Sequence, residues 1–198
     1  TALEERLRLG RPLDTVASVA SMFVSRIDSK IDTWIDQMIN EELNLSVKEC
    51  LRSLRGKTAI ANGRLCYQQY KSHFHSERFR KLAAEGARPQ RILTASTSTK
   101  DPSYPDTYYV DALIGPETVV TMAPASVPAF RDHGKVKRTI EQGLDKAQDT
   151  FQKAKQLGIN MDQAMQELQT EGIEKFIASF DALINAIEEK RQNFLQVI

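Results

Sequence analysis

The chain has 198 residues, 41% hydrophobic and 27% charged, enough for one good core and without the bias of disordered or fibrous chains. Its 27 Lys+Arg nearly cancel 26 Asp+Glu, leaving a formal charge of +1, so no overall field draws it to nucleic acid or an anionic membrane. No run approaches the roughly 18 apolar residues of a membrane span, no signal-peptide pattern opens the chain, and Cys50 and Cys66 stand at no metal-ligand spacing, which together predict a cytoplasmic protein with reduced thiols.

Residues Thr1 to Leu9 place leucines at 3, 7 and 9 among Glu4, Glu5, Arg6 and Arg8 and run into Gly10, the pattern of the closing turns of an amphipathic helix. A start inside such an element, with no initiator methionine, is what a fragment would show. Gly10 to Asp14 is a connector, and Val16 to Ser25 is a continuous run of small and apolar residues that predicts a strand buried on both faces. Arg26 follows at once. A guanidinium at the end of a buried strand is either an ion-pair partner or an anion clamp, since its planar fork can hold two phosphate oxygens. From Ser29 to Leu45 the residues Ile31, Trp34, Ile35, Met38, Ile39 and Leu43 recur at three and four, predicting an amphipathic helix with Trp34 in the core and the acidic residues on the opposite face. A second helix is predicted from Lys57 to His75. His73 and His75, two apart, do not share a helix face, and no Cys or carboxylate stands at a zinc-like spacing from them, so no metal site is expected. Ser76 to Gly86 has the look of a short helix.

Arg91-Ile-Leu-Thr-Ala-Ser-Thr-Ser-Thr-Lys100 is the stretch on which a site would be built. Ile92, Leu93 and Ala95 suit a buried strand, whereas Ser96, Thr97, Ser98 and Thr99 compete with regular backbone pairing and favour a loop. Ligands of β/α proteins bind at the C-terminal ends of parallel strands, so Lys100 is either a surface lysine or part of such a site. The turn cluster Asp101 to Asp106 leads to a helix through Tyr109, Val110, Leu113 and Ile114 with Asp106 as its N-cap. Thr118 to Met122 is a third strand, and a helix through Val127 and Phe130 ends at His133 and Gly134. Val136, Ile140, Leu144, Ala147, Phe151, Ala154 and Leu157 predict one helical stripe, and Ile173, Phe176, Ile177, Phe180, Leu183, Ile184 and Ile187 another, each core or interface. Between them Asn160 caps a short helix bearing Met161, Met165 and Leu168, and Phe194, Leu195 and Val197 are expected to dock across a neighbouring surface. Strands separated by helices imply a parallel α/β sheet. Three strands cannot close a barrel, which needs eight and typically about 250 residues, and they leave two edges that must be covered.

Five blocks carry a resemblance: Val16 to Asp28, Arg55 to Asn62, Ala95 to Pro102, Leu113 to Met122, and Ala129 to Gly134. In that order they resemble the C-terminal half of the transaldolases, in the longer bacterial and plant subfamily. The resemblance implies that residues 1–134 are the last three or so parallel β/α units of a TIM-type β/α barrel, with 135–198 a helical segment packed on it. It implies a cofactor-free enzyme of the pentose phosphate pathway that moves a dihydroxyacetone unit from sedoheptulose 7-phosphate to glyceraldehyde 3-phosphate, giving erythrose 4-phosphate and fructose 6-phosphate through a lysine Schiff base. Arg26 and Ser96 match residues that hold the substrate phosphate. Lys100 stands where shorter members have a second phosphate-binding arginine, and Ser21 and Phe23 match residues that line the pocket. The family's Schiff-base lysine lies in a Lys-Ile/Val-Pro block on an earlier strand, and neither that block nor the acid–base carboxylates of earlier strands occur here. No catalytic residue is therefore expected in this chain, unless Lys100 is itself the Schiff-base lysine. Three readings stand: part of an active transaldolase, a non-catalytic remnant acting as a binding or partner subunit, or a small aldolase using Lys100. The partners implied are sugar phosphates, with neither nucleic acid nor membrane. The missing N-terminal half, or a second copy, would be met through the open sheet edges.

Overall fold

The computed structural model describes residues 1–195. They form two compact units, Thr1–Ile159 and a second that begins at Asn160. In chain order the first unit holds α1 (Ala2–Arg8), β1 (Val19–Phe23), α2 (Ser25–Glu41), α3 (Leu45–Arg52), α4 (Thr58–Phe74), α5 (Glu77–Ala84), β2 (Arg91–Ala95), α6 (Tyr108–Ala112), β3 (Thr118–Val120), α7 (Ser126–His133) and α8 (Leu144–Gln156). The second is the helix α9 (Met161–Leu195).

The three strands are parallel and lie in the order β1-β2-β3, the same as in the chain. Ser21 stands opposite Leu93 and Leu93 opposite Val119, so these odd-numbered residues share one face, while Ala20, Met22, Ile92 and Thr94 share the other. The even face is the packed one: Ile92 and Thr94 are buried, and Gly63 of α4 comes so close that a Cβ there would stand 2.8 Å from Leu113 and 3.2 Å from Met22. On the odd face Val19, Ser21 and Arg91 are exposed, and Phe23, Leu93, Ala95 and Val119 are only partly covered. No residue of β1 is buried, Ala20 on the even face included, so β1 is an edge strand that is open on one face and only partly covered on the other, not the strand buried on both sides that its apolar run predicts. A strand of small residues needs a neighbour on each side to be buried, and β1 has a strand on one side only.

Ile27, Ile31 and Ile35 form the buried stripe of α2, joined by Leu51 and Leu54 from α3 and the following loop. α3 has no counterpart among the predicted elements; it starts where Asn44 accepts hydrogen bonds from the amides of Ser46 and Val47, at 2.9 and 3.4 Å. The helix expected to begin at Val136 begins instead at Leu144. Gly143 precedes it in a left-handed conformation (φ 63°), and Thr139 ties the segment before it to α6 by accepting from the Ile114 amide at 3.2 Å and donating to the Asp111 carbonyl at 2.6 Å. Ile140 is buried there outside any helix, and Val136 is exposed. Asp106 does not cap α6: Thr107 occupies the N-cap without a side-chain bond, and Asp106 pairs with His133 instead.

In the second unit Asn160 does cap a helix, accepting from the Gln163 amide at 3.1 Å. That helix does not stop after one short segment but continues for 35 residues, since Gly172 in its interior costs about 1 kcal/mol without supplying a break. The stripe from Ile173 to Ile187 is exposed throughout, as are Phe194 and Leu195. Val197 lies outside the described residues. No described helix is long and apolar enough to cross a membrane.

Candidate functional site

The site is assembled where β1 and β2 run out. Past the last paired residues the two strands stay joined: the Val24 amide donates to the Ala95 carbonyl and the Ser25 amide to the Ser96 carbonyl, each at 2.9 Å. The Ser25 and Ser96 hydroxyls meet at 2.9 Å. Ser96 adopts φ 56°, left-handed backbone that a residue with a Cβ rarely enters, and the chain turns there out of the sheet. On the far side of β2, Thr97 donates to the Thr121 carbonyl at 2.6 Å and Thr121 to the Thr94 carbonyl at 3.2 Å, so the hydroxyl-rich loop is anchored to the end of β3.

Arg26 sits in the first turn of α2, whose N-cap, Val24, offers no capping side chain. Its guanidinium lies 4.6 Å from the centre of the Phe23 ring and makes no ion pair or hydrogen bond among the described residues. Of the two sequence readings of Arg26, the ion-pair partner is therefore the one the structure does not supply. A partly buried, unneutralised cation beside an uncapped helix N-terminus favours an anion. Ser21 and Phe23 project from the open face of the sheet, two residues apart on the same strand.

Lys100 is placed elsewhere. It is exposed, donates to the Ser98 hydroxyl at 3.1 Å, and lines a recess of about 270 Å³ with Asp28, Asp32, Asp36, Arg55 and Asp101, which Arg26 does not line. A nucleophilic amine needs apolar burial or an excess of neighbouring cations, and this recess supplies four carboxylates against one guanidinium. Arg26 thus stacks on Phe23, Ser96 is bonded to Ser25, the residue before Arg26, and Lys100 lines a separate recess.

Two carboxylates in that recess lie outside the sequence reading, which begins the helix at Ser29 and puts its acids on the face away from the core. Asp28 and Asp32 are buried, at 1% and 6% exposure. One oxygen of Asp28 accepts from the Thr58 hydroxyl and the Ala59 amide, both at 2.7 Å, and the other from the Tyr109 hydroxyl at 2.9 Å. Asp32 accepts from the Gly56 amide at 3.0 Å and the Tyr104 hydroxyl at 2.8 Å. Burial, the largest influence, pushes both carboxyls up against the pull of these donors. The same two acids raise Tyr109 and Tyr104, whose burial is again the larger cause. The pair acts as a cap for the start of α4 and a clasp on α6, which holds α2 and its first turn in place. The signal available in sequence was their spacing: residues 28 and 32 adjoin Ile27 and Ile31 on the apolar stripe itself. Among the described residues no group of His, Cys, Asp and Glu is arranged to hold a metal ion.

Strand ends, an arginine without an ion pair among the described residues and a turned-out serine define an α/β protein with a cluster of polar residues at the C-terminal edge of a parallel sheet, where such proteins place their ligands. Comparison with known proteins narrows this. Residues 2–187 match the family model described as Transaldolase/Fructose-6-phosphate aldolase. The chain is 46% identical over 190 residues to a protein named Transaldolase from Trichodesmium erythraeum, and 46% over 191 residues to one named Transaldolase 2 from Nostoc punctiforme. It is 44% identical over 191 residues to a Transaldolase from Frankia alni. These matches take in 95% to 96% of the chain and 49% to 50% of each relative, so the chain spans about half their length. The chain belongs to the transaldolase/fructose-6-phosphate aldolase family.

Proposed function

We propose that the chain is the phosphate-binding half of a transaldolase, an arc of three β/α units from a TIM-type barrel. Arg26 and Ser96 hold the phosphate of a sugar phosphate, and the Schiff-base lysine stands in the complementary half. The observation that carries this reading is Arg26, unpaired and stacked on Phe23 next to the Ser25–Ser96 junction, in a chain of this family. The strand order supports the barrel arc: it runs with the chain, without the reversal that marks a doubly wound sheet at its ligand crevice. Ser21 and Phe23, on the open face, line the sugar pocket. The whole protein then transfers a dihydroxyacetone unit between sedoheptulose 7-phosphate or fructose 6-phosphate and an aldose phosphate, in the cytoplasm, where Cys50 and Cys66 stay free.

Borohydride trapping with fructose 6-phosphate, read by mass spectrometry, tests the division of labour. The 198-residue chain alone is expected to give no adduct, and the chain joined to the complementary half of a relative is expected to give one in that half. An adduct on Lys100 would replace this reading with the small aldolase. A second reading, a partner subunit, is favoured by the open edge and face of β1 and by the exposed stripe of α9. Light scattering after mixing with the complementary half distinguishes it: a stable complex without turnover supports the partner subunit, and turnover supports the transaldolase half.

A further inference from the structure

We infer that Ser25 is a positioning residue for this phosphate site: it fixes the direction of the Ser96 hydroxyl so that its proton is left for the ligand. The inference rests on the reading of Arg26 and Ser96 as phosphate ligands. Ser25 is 1% exposed, and its hydroxyl has no partner among the described residues other than Ser96, 2.9 Å away. A phosphate dianion only accepts hydrogen bonds, so Ser96 must donate to it. Ser96 has a single proton. If Ser96 spent that proton on Ser25, the lone pairs of Ser96 would face the anion and the buried proton of Ser25 would be left without an acceptor. The arrangement that leaves no buried donor idle is Ser25 donating to Ser96 and Ser96 donating to phosphate, a chain in which each bond polarises the next.

The backbone repeats the design. The Ser25 amide holds the Ser96 carbonyl at 2.9 Å, so the carbonyl and the hydroxyl of Ser96 are both gripped by one residue. Left-handed backbone at a residue with a Cβ costs on the order of 1–3 kcal/mol and persists only where its surroundings impose it. Ser96, at φ 56°, is imposed upon by Ser25. Because Ser25 immediately precedes Arg26, a single turn of α2 sets both phosphate ligands.

The test is titration of the 198-residue chain with inorganic phosphate, followed by backbone amide shifts in NMR, with melting temperature as the control for folding. Ser25→Ala is expected to weaken phosphate about two- to tenfold, the worth of one hydrogen bond. Ser25→Cys keeps the buried volume with a weak donor and should lose affinity in the same direction, which serves if Ser25→Ala does not fold. Ser96→Gly accepts the left-handed backbone and removes the hydroxyl, and on that background Ser25→Ala should cost no further affinity, since its effect passes through Ser96. Unchanged phosphate affinity in folded Ser25→Ala or Ser25→Cys, or additive losses in the double variant, overturns the inference; loss of binding in Arg26→Ala in the same series would show that the site itself stands. Absence of phosphate binding in the unsubstituted chain, or undiminished binding in Arg26→Ala, removes the site and the inference with it.

Discussion

Replacing Asp28 with alanine should be among the most damaging single changes in the first unit. Three donors on other elements lose their acceptor at once: the Thr58 hydroxyl and Ala59 amide at 2.7 Å and the Tyr109 hydroxyl at 2.9 Å. A buried donor left without a partner costs about 1–3 kcal/mol. The Ala59 amide is fixed by the first turn of α4 and carries its full cost, while the two hydroxyls can rotate and recover part of theirs. The sum is about 3–5 kcal/mol, comparable with removing one partner of a buried charged pair. Urea unfolding followed by far-ultraviolet circular dichroism measures it. A loss below about 1 kcal/mol would refute the reasoning, because it would mean that the three donors find water as readily as they find Asp28. The pH dependence has a definite sign. Burial raises this carboxyl, so the native state holds its proton longer than the unfolded chain. Stability contributed by Asp28 is greatest below the ordinary value of 3.8 and declines as pH rises from there toward the raised value. The advantage of the unsubstituted chain over Asp28→Asn should therefore shrink as pH rises through that window, and an advantage that grew would contradict the burial argument.

Gly56→Ala places a Cβ 2.6 Å from the Tyr104 ring in left-handed backbone (φ 67°), and should cost more than about 2 kcal/mol in the same urea assay, with partial recovery when Tyr104 is also shortened to alanine. His133 is raised above its ordinary 6.5 by Asp106 first and Asp132 second, so the stability from this pairing is complete below 6.5 and lost as pH rises through the raised value. Asp106→Asn should bring the His133 titration, followed by NMR of the ring protons, back toward 6.5. Phe180 of α9 is 62% exposed, so Phe180→Gln should leave the unfolding free energy of the isolated chain within about 0.5 kcal/mol while weakening any complex with the complementary half.

What could be read from sequence was whatever neighbouring residues decide between themselves. β2 fell where its apolar run places it, and Arg26 and Ser96 stood out as polar residues at the ends of such runs. What escaped was decided by residues far along the chain. Asp32 falls among the acids placed on the solvent face, and Asp28 is given no place, because nothing near them shows the donors 24 to 81 positions away that make burial tolerable. Ser96 carries no glycine to announce its left-handed turn, and the hydroxyl that imposes it is 71 positions distant. Lys100 looked like a member of the phosphate set because it follows the hydroxyl run; only the placement of Arg55 and four aspartates around it shows the recess it lines. The start of α8 was misplaced because Thr139 satisfies its hydrogen bonds on α6 rather than in a helix, and only Gly143 hinted at the break.

The most direct measurement is the affinity of the chain for fructose 6-phosphate and for unphosphorylated fructose, each before and after Arg26→Ala. Charge-assisted hydrogen bonds to phosphate are worth about 1.5–3 kcal/mol, so the phosphorylated sugar should weaken by about ten- to a hundredfold while fructose is unaffected. Equal losses for the two sugars, or no loss for either, would contradict the assignment of Arg26 to the phosphate.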